Sequence, residues 1–321
     1  MKKPSLAEKN ENKETLLTHK EWITYLDQKN DGKDLIWNNY WTKIDDKREY
    51  KGEFKKENKA EWEGLGYIKY QDGSLYAGQV KDKTMTGKGR MTYANGDIYQ
   101  GGWEKGKAQG QGVLVDKTNQ TIYEGQWEVD KQHGQGVETW NDGNCVYKGQ
   151  FVEGKKTGWA RYEQDGNVYE GDFVDGKFHG KGKYYFVDTG KTYEGEFVNN
   201  QIHGKGKMTW PDQSRYEGDF KNGKAEGHGV EYMANGDKYI GEFEKEMKHG
   251  AGVYYNAVDQ TKRQGEWQNG KRIAWLSQPQ STIVTTDNAT VPAGKSASRL
   301  WQGARWQNDF KAKLNNKYKL K

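Results

Sequence analysis

Tyr193-Glu194-Gly195-Glu196-Phe197-Val198-Asn199-Asn200-Gln201-Ile202-His203-Gly204-Lys205-Gly206-Lys207-Met208-Thr209-Trp210 is the clearest copy of a pattern that fills most of the chain. Tyr193, Gly195 and Phe197 stand at i, i+2 and i+4, so in an extended strand all three face one side. The same beat starts at Tyr50, Tyr76, Tyr99, Tyr123, Tyr147, Tyr169, Tyr193, Tyr216 and Tyr239, at spacings of 26, 23, 24, 24, 22, 24, 23 and 23 residues. Eight of these nine tyrosines have Phe or Trp at +4, and a tenth, degenerate copy reads Arg263-Gln264-Gly265-Glu266-Trp267. A near-constant period in this range is the mark of a repeat architecture and overrides other readings of the chain.

Each repeat has two halves. After the tyrosine strand comes a turn such as Gly106-Lys107, Gly154-Lys155 or Asn222-Gly223. The second half opens on paired glycines, as in Gly87/Gly89, Gly134/Gly136 and Gly204/Gly206, with apolar residues often two and four later. Asn-Gly or Asp-Gly then returns the chain, at Asp72-Gly73, Asn95-Gly96, Asp165-Gly166 and Asn235-Gly236. These are strong hairpin signals. Two short antiparallel strands per repeat follow. Glycine inside a strand marks close approach, and here it leaves room for aromatic rings to lie flat on bare backbone. A Gly-x-Gly phosphate loop would need a helix after it, and nothing in the repeats reads as one.

Hydrophobic residues make up 32% and charged residues 30% of the 321, values that alone lean toward disorder. The 21 Tyr, 13 Trp, 9 Phe and 42 Gly point instead to a thin fold held by large buried rings. A single cysteine, Cys145, leaves no disulfide framework and no cysteine-based zinc site. No apolar run is long enough to span a bilayer. Met1-Lys2-Lys3-Pro4 leads into polar sequence rather than an apolar signal core, so a cytosolic setting is expected. The net charge of +5 is uneven: residues 295–321 carry eight Lys or Arg against Asp309.

The pattern resembles MORN repeats, the membrane occupation and recognition nexus family, whose consensus runs YEGxF followed by GxG. The resemblance covers ten copies over residues 45–275. It implies an all-β fold: an elongated, single-layer, twisted antiparallel sheet of about ten hairpins. Departures occur at Ala160 for a glycine, Val80 for an aromatic, Asp212-Gln213 for a glycine turn, and in the last repeat, which lacks its Tyr. They suggest local bends or caps. Four segments are expected: an extension over 1–44, the repeats over 45–275, a polar linker over 276–294 and a basic aromatic tail over 295–321. Thr18-His19-Lys20-Glu21 has the form of a capping box, and Trp22, Ile23 and Leu26 follow at helical spacing, predicting a helix over roughly 19–28. Leu35 to Trp41 would cap the first repeat.

His133, His179, His203 and His249 share one repeat position. Successive copies would stand about 10 Å apart by strand spacing, too far to share a metal whose ligands lie about 2 Å from it. They read as repeat residues near a turn. Glu124, Glu170, Glu194 and Glu217 follow the tyrosine, and Lys88, Lys181 and Lys205 sit between paired glycines. They recur without a distinctive cluster and read as cross-strand charge pairs on a solvated face. Cys145 has no poised base beside it in sequence. No catalytic, metal or cofactor residue is assigned.

The candidate partner-binding residues lie at the ends: Trp22 and Leu26 in the predicted helix, and Arg299, Trp301, Arg305, Trp306, Phe310, Lys311, Lys313 and Lys317 in the tail. Interleaved bases and rings there would suit a groove on a partner, the acidic surface of tubulin, anionic lipid or nucleic acid. The expectation is a non-enzymatic scaffold that holds proteins in a large assembly and takes no small-molecule substrate. Relatives built mostly of MORN repeats include radial-spoke-head-like and other cytoskeletal proteins, so the resemblance implies a cytoskeletal or ciliary (axonemal) place. The alternative is a membrane tether acting through the tail. MORN-bearing kinases and methyltransferases need a catalytic domain, and too few residues follow the repeats for one. Open sheet edges also predict a homodimer through the ends.

Overall fold

The computed structural model describes residues 19–27, 35–58, 61–140 and 143–282. One helix, α1 (His19–Asp27), precedes an open antiparallel sheet that runs hairpin after hairpin to the strand Lys271–Trp275. The sheet begins ahead of the expected boundary at residue 45. Leu35–Trp37 and Thr42–Asp45 both pair with Arg48–Lys55, each along part of its length. Leu35–Trp37 thus fills the capping place that its aromatic-rich sequence suggested.

The turn chemistry matches the sequence. Lys105 and Gly106 take φ of 49° and 77°, Asn222 and Gly223 51° and 80°, and Asn269 and Gly270 49° and 79°. Two successive positive φ values define the type I′ turn, whose twist matches that of the strands. Gln213, where other repeats place Gly, adopts φ 67°. The ladder also continues through Ala160, which pairs with both Gly149 and Gly171.

The tyrosines explain the rest of the pattern. All nine are at most 3% exposed, because each ring lies in a trough between the glycine of its own strand and that glycine's cross-strand partner, a second glycine everywhere but at Tyr147, which has Ala160. The Tyr193 ring crosses Gly195 and Gly206, which pair directly across the strands. Each hydroxyl donates to the carbonyl three residues on, at 2.6–3.2 Å in all nine repeats. Phenylalanine would fill the trough without that bond. Tyr193→Phe is expected to cost about 1–2 kcal/mol by leaving a part-buried carbonyl short of its donor, read as a lowered urea midpoint at unchanged slope.

The +4 rings join the repeats. From Tyr76 to Trp267 every tyrosine meets edge-to-face the next repeat's +4 aromatic and, except where Val80 replaces it, its own, at centroid distances of 4.7–5.5 Å. Such pairs are worth about 0.5–1.5 kcal/mol each beyond the area they bury. A continuous aromatic zipper therefore runs along one face. Some free ring faces are taken by chain side chains: Phe178 stacks on Tyr169 at 3.9 Å, and Trp62 on Tyr50 at 4.3 Å.

The paired glycines make a bulge. The first of each pair is left-handed, with φ of 56° at Gly87, 62° at Gly134 and 62° at Gly204, and the register shifts there. The bulge frees the N–H of the residue between the glycines. The residue three after the tyrosine accepts it: Gln79 Oε1 from Lys88 at 2.8 Å, Gln126 Oε1 from Gln135 at 2.8 Å, Asp172 Oδ2 from Lys181 at 3.2 Å.

Candidate interaction surfaces

Opposite the buried tyrosines, the other face of the sheet carries mainly polar and charged residues that vary from repeat to repeat. Its middle row, set by the residue after each tyrosine, runs Arg161, Glu170, Lys183, Glu194, Lys207, Glu217 across consecutive strands. Charges alternate in sign, and Arg161 is ion-paired to Glu170. Glu170 thus forms a cross-strand charge pair, Glu194 faces Lys183 and Lys207 in register, and Glu217 faces Lys207 but is ion-paired to Arg215 of its own strand; such pairs are worth at most about 1 kcal/mol each. Lys181 faces Glu196, and Lys205 is ion-paired to Asp219. Two residues differ: Glu124 lies between Val113 and Val137, and Lys88 faces Gly102.

The histidines stand on this same face, two residues from the type I′ turns. His179, His203 and His249 are cross-strand partners of Asp172, Glu196 and Glu242. Among the described residues no three His, Cys, Asp or Glu gather closely enough to hold a metal. Cys145 is buried.

Trp22 and Leu26 need a correction. The sequence places them among the partner-binding residues; the structure turns them inward, at 5% and 7% exposure. α1 lies on the varying face of the first repeats, and Trp22 and Leu26 pack with Leu65 and Ala77. His19 fixes its start, with Nε2 3.1 Å from the carbonyl of Leu75 and 3.3 Å from Thr92 Oγ1. Burial holds the His19 pKa below the usual imidazole range. The helix is thus a built-in cover for a stretch where Leu65 and Ala77 replace the polar residues of later repeats. Helical spacing announces an apolar stripe without saying what it meets, and Leu65 and Ala77 were the signal that could have decided it. Arg299, Trp301, Arg305, Trp306, Phe310, Lys311, Lys313 and Lys317 lie outside the described residues.

Sequence reasoning missed a second apolar patch. Between the paired glycines stand Lys88, Gln111, Gln135, Lys181 and Lys205, but one repeat has Trp159, which is 62% exposed. On the same face Val152, Val174 and Val198 each follow the +4 phenylalanine of successive repeats and are 40%, 49% and 40% exposed. The signal was a tryptophan in a mostly polar row, whose other apolar members are Leu65 and Ala251.

On the tyrosine face a cavity of about 510 Å³ is floored by Tyr99, Leu114 and Trp127 and rimmed by Asp72, Asp97 and Asp130. Its acids are committed to the turns: Asp72 accepts from Ser74 N, Asp97 from Lys117 N and Asp130 from Ala108 N, at 2.7–2.8 Å. Elsewhere on this face the chain's own cations lie over half-buried rings, Lys156 at 4.4 Å from Trp140 and Lys191 at 5.6 Å from Trp210. No helix among the described residues is long and apolar enough to cross a membrane.

Comparison with known proteins bears on this geometry. Among solved structures, the wild-type TCP10 domain of Danio rerio CPAP in complex with a peptide of Danio rerio STIL is similar, with a TM-score of 0.41 and 12% identity over 68% of this chain and 98% of that chain. No curated protein matches the chain. The MORN repeat family model matches at residues 76–98, 99–121, 123–145, 147–162, 169–191, 193–215, 216–238, 239–257 and 264–272. The hairpin at Tyr50 precedes the first match yet repeats its geometry, with Tyr50 lying over Gly66 and bonded to Glu53. More than half of the residues are matched in nine copies, and the chain belongs to the MORN-repeat family.

Proposed function

We propose that the protein is a non-enzymatic scaffold that holds protein partners in a large cytoskeletal or ciliary assembly. One observation carries the reading: the sheet has two unlike faces, one built on the aromatic zipper and one of mainly polar residues that vary from repeat to repeat. A regular ladder of this kind presents an extended surface, and its chemistry is written in local departures such as Trp159 rather than in a pocket of converging groups. His179, His203 and His249 support this, since each faces an acid in its own register instead of one shared centre. The basic aromatic tail would add a second contact to an anionic surface such as tubulin.

The test is the native size of the protein in gentle extracts of its own cells. The scaffold reading predicts co-migration with a fixed set of partners at constant stoichiometry. A free monomer throughout the extract would refute it.

A membrane tether is the second reading, favoured by the eight basic residues of 295–321 alone. Each basic residue near an anionic bilayer contributes about 1 kcal/mol. Flotation with anionic liposomes, lost on removing 295–321, would support it, and absence of flotation by the full chain would end it. Pairing of two copies through sheet ends is less favoured at the first edge, which is split into Leu35–Trp37 and Thr42–Asp45. Short edge strands hinder edge-to-edge pairing.

A further inference from the structure

The chain contains its own example of what its variable face can receive. α1 is nine residues long and packs against three consecutive strands, Glu63–Tyr70, Leu75–Lys81 and Thr84–Thr92. Nine helical residues span about 13.5 Å, and three strands at about 4.8 Å spacing occupy a similar width. The start of α1 is bonded to Leu75 and Thr92 and its later turns pack with Leu65 and Ala77, so the helix crosses from Thr84–Thr92 toward Glu63–Tyr70. Beneath it, Leu65 occupies the place between paired glycines and is 2% exposed, packed with Trp22.

Trp159 occupies that same place four repeats later, between Gly158 and Ala160. Its cross-strand partner is Asp172, two residues before Val174 on the same face. Nothing in the described chain covers it, and its 62% exposure is far above that of Leu65. An exposed tryptophan with exposed aliphatic neighbours is the composition of an interface anchor.

The neighbours have a period that fits one kind of occupant. Val152, Val174 and Val198 end the strands Cys145–Val152, Asn167–Val174 and Lys191–Val198, with one strand between each pair. Their spacing is therefore about 9.6 Å by strand geometry. A helix lying across the strands advances about 10.5 Å in seven residues. Side chains at i, i+7 and i+14 of such a helix would meet the three valines in turn. A helix is about 10 Å wide with its side chains, enough to cover the valine row and Trp159 together. An extended segment across the strands would show no such match, because its side chains on one face recur about every 6.6 Å.

We propose that the open face over residues 145–198 docks an amphipathic helix of a partner protein. The helix lies across the strands as α1 does, with apolar residues at seven-residue spacing over the valines and an apolar anchor against Trp159. This rests on the scaffold reading and names the kind of partner that reading requires.

The experiment places the photo-reactive residue benzoylphenylalanine at position 159 of the full chain in its own cells, with Gln135 and Lys205 as further positions, and sequences the crosslinked peptides. The expected adduct at 159 is a segment of another protein whose apolar residues recur at seven-residue spacing. As a synthetic peptide it should gain helicity on binding the full chain, and Val174→Lys should weaken binding at least 10-fold. Trp159→Lys should do the same without changing the melting temperature, because Lys181 and Lys205 hold the equivalent place in folded repeats. A crosslinked partner peptide without that spacing, a segment of a second copy, or residues 283–321 of the same chain would overturn the helix proposal while leaving the scaffold reading intact. A lipid adduct, or no protein adduct at any of the three positions, would overturn both.

Discussion

Gly195→Ala is expected to cost at least ~3 kcal/mol and to divide the melting of the ladder into two steps, whereas Gly206→Ala should cost roughly half as much. The two glycines face each other across neighbouring strands, so the difference is a matter of what each new methyl meets. At Gly195 an added Cβ would come within 3.0 Å of the Gly206 Cα and of the Lys205 carbonyl oxygen. Those are backbone atoms of the next strand, which can yield only by breaking the pairing. At Gly206 the three nearest atoms all belong to the Tyr193 ring and hydroxyl, which can slide. The chain already holds the second arrangement once: Ala160 stands at this position, buried, while Tyr147 keeps its bond to the Gln150 carbonyl at 2.8 Å. Neither glycine has positive φ, so the contrast is steric and not a matter of backbone preference. Because each repeat touches only its neighbours, loss of one hairpin uncouples the two flanking stacks. Equal costs for the two variants, measured by urea unfolding, would contradict the packing argument.

Raising the pH through 10–12 is expected to unfold the protein cooperatively. The tyrosine hydroxyls sit in low-dielectric troughs, and burial raises all nine well above the ordinary phenol range, Tyr123 and Tyr193 to about 12. Below pH 10 both folded and unfolded chains keep these protons, and stability is unaffected. Above it the unfolded chain loses protons at the ordinary phenol pKa of about 10 while the folded chain retains them. Ionisation then favours the unfolded state, by about 1.4 kcal/mol per pH unit for each such hydroxyl. Nine groups acting together make the fall steep. Far-ultraviolet circular dichroism and the tyrosinate absorbance of the nine trough tyrosines should therefore change together in one step, near or above pH 11. Smooth ionisation of all 21 tyrosines near pH 10 with the sheet retained would contradict the trough geometry.

The fold was legible because its period is written in bulky residues. Tyr, Gly and Phe or Trp at alternate positions fix which face is closed, and Asn-Gly and Asp-Gly place the turns. What stayed hidden was chemistry carried by polar residues at the same period. Nothing in the sequence singles out Gln79, Gln126 and Asp172, yet each holds the N–H that a bulge releases. A one-residue bulge leaves no trace in composition beyond the glycine it needs. Trp22 and Leu26 were misread for a related reason. An amphipathic helix has an apolar stripe whether it meets a partner or its own sheet, and only the apolar replacements Leu65 and Ala77, distant in sequence, show which. Trp159 escaped attention because the pattern teaches the eye to expect rings on the other face of the strand.

The central claim is that the variable face, and not the aromatic one, holds the partners. The most direct measurement is the size distribution, in extracts of its own cells, of the full chain carrying Trp159→Lys and Val174→Lys together, beside the unsubstituted chain. The account predicts that the doubly substituted protein leaves the large assembly and runs at monomer size with an unchanged melting temperature. Retention of that protein in the assembly at full stoichiometry would contradict it.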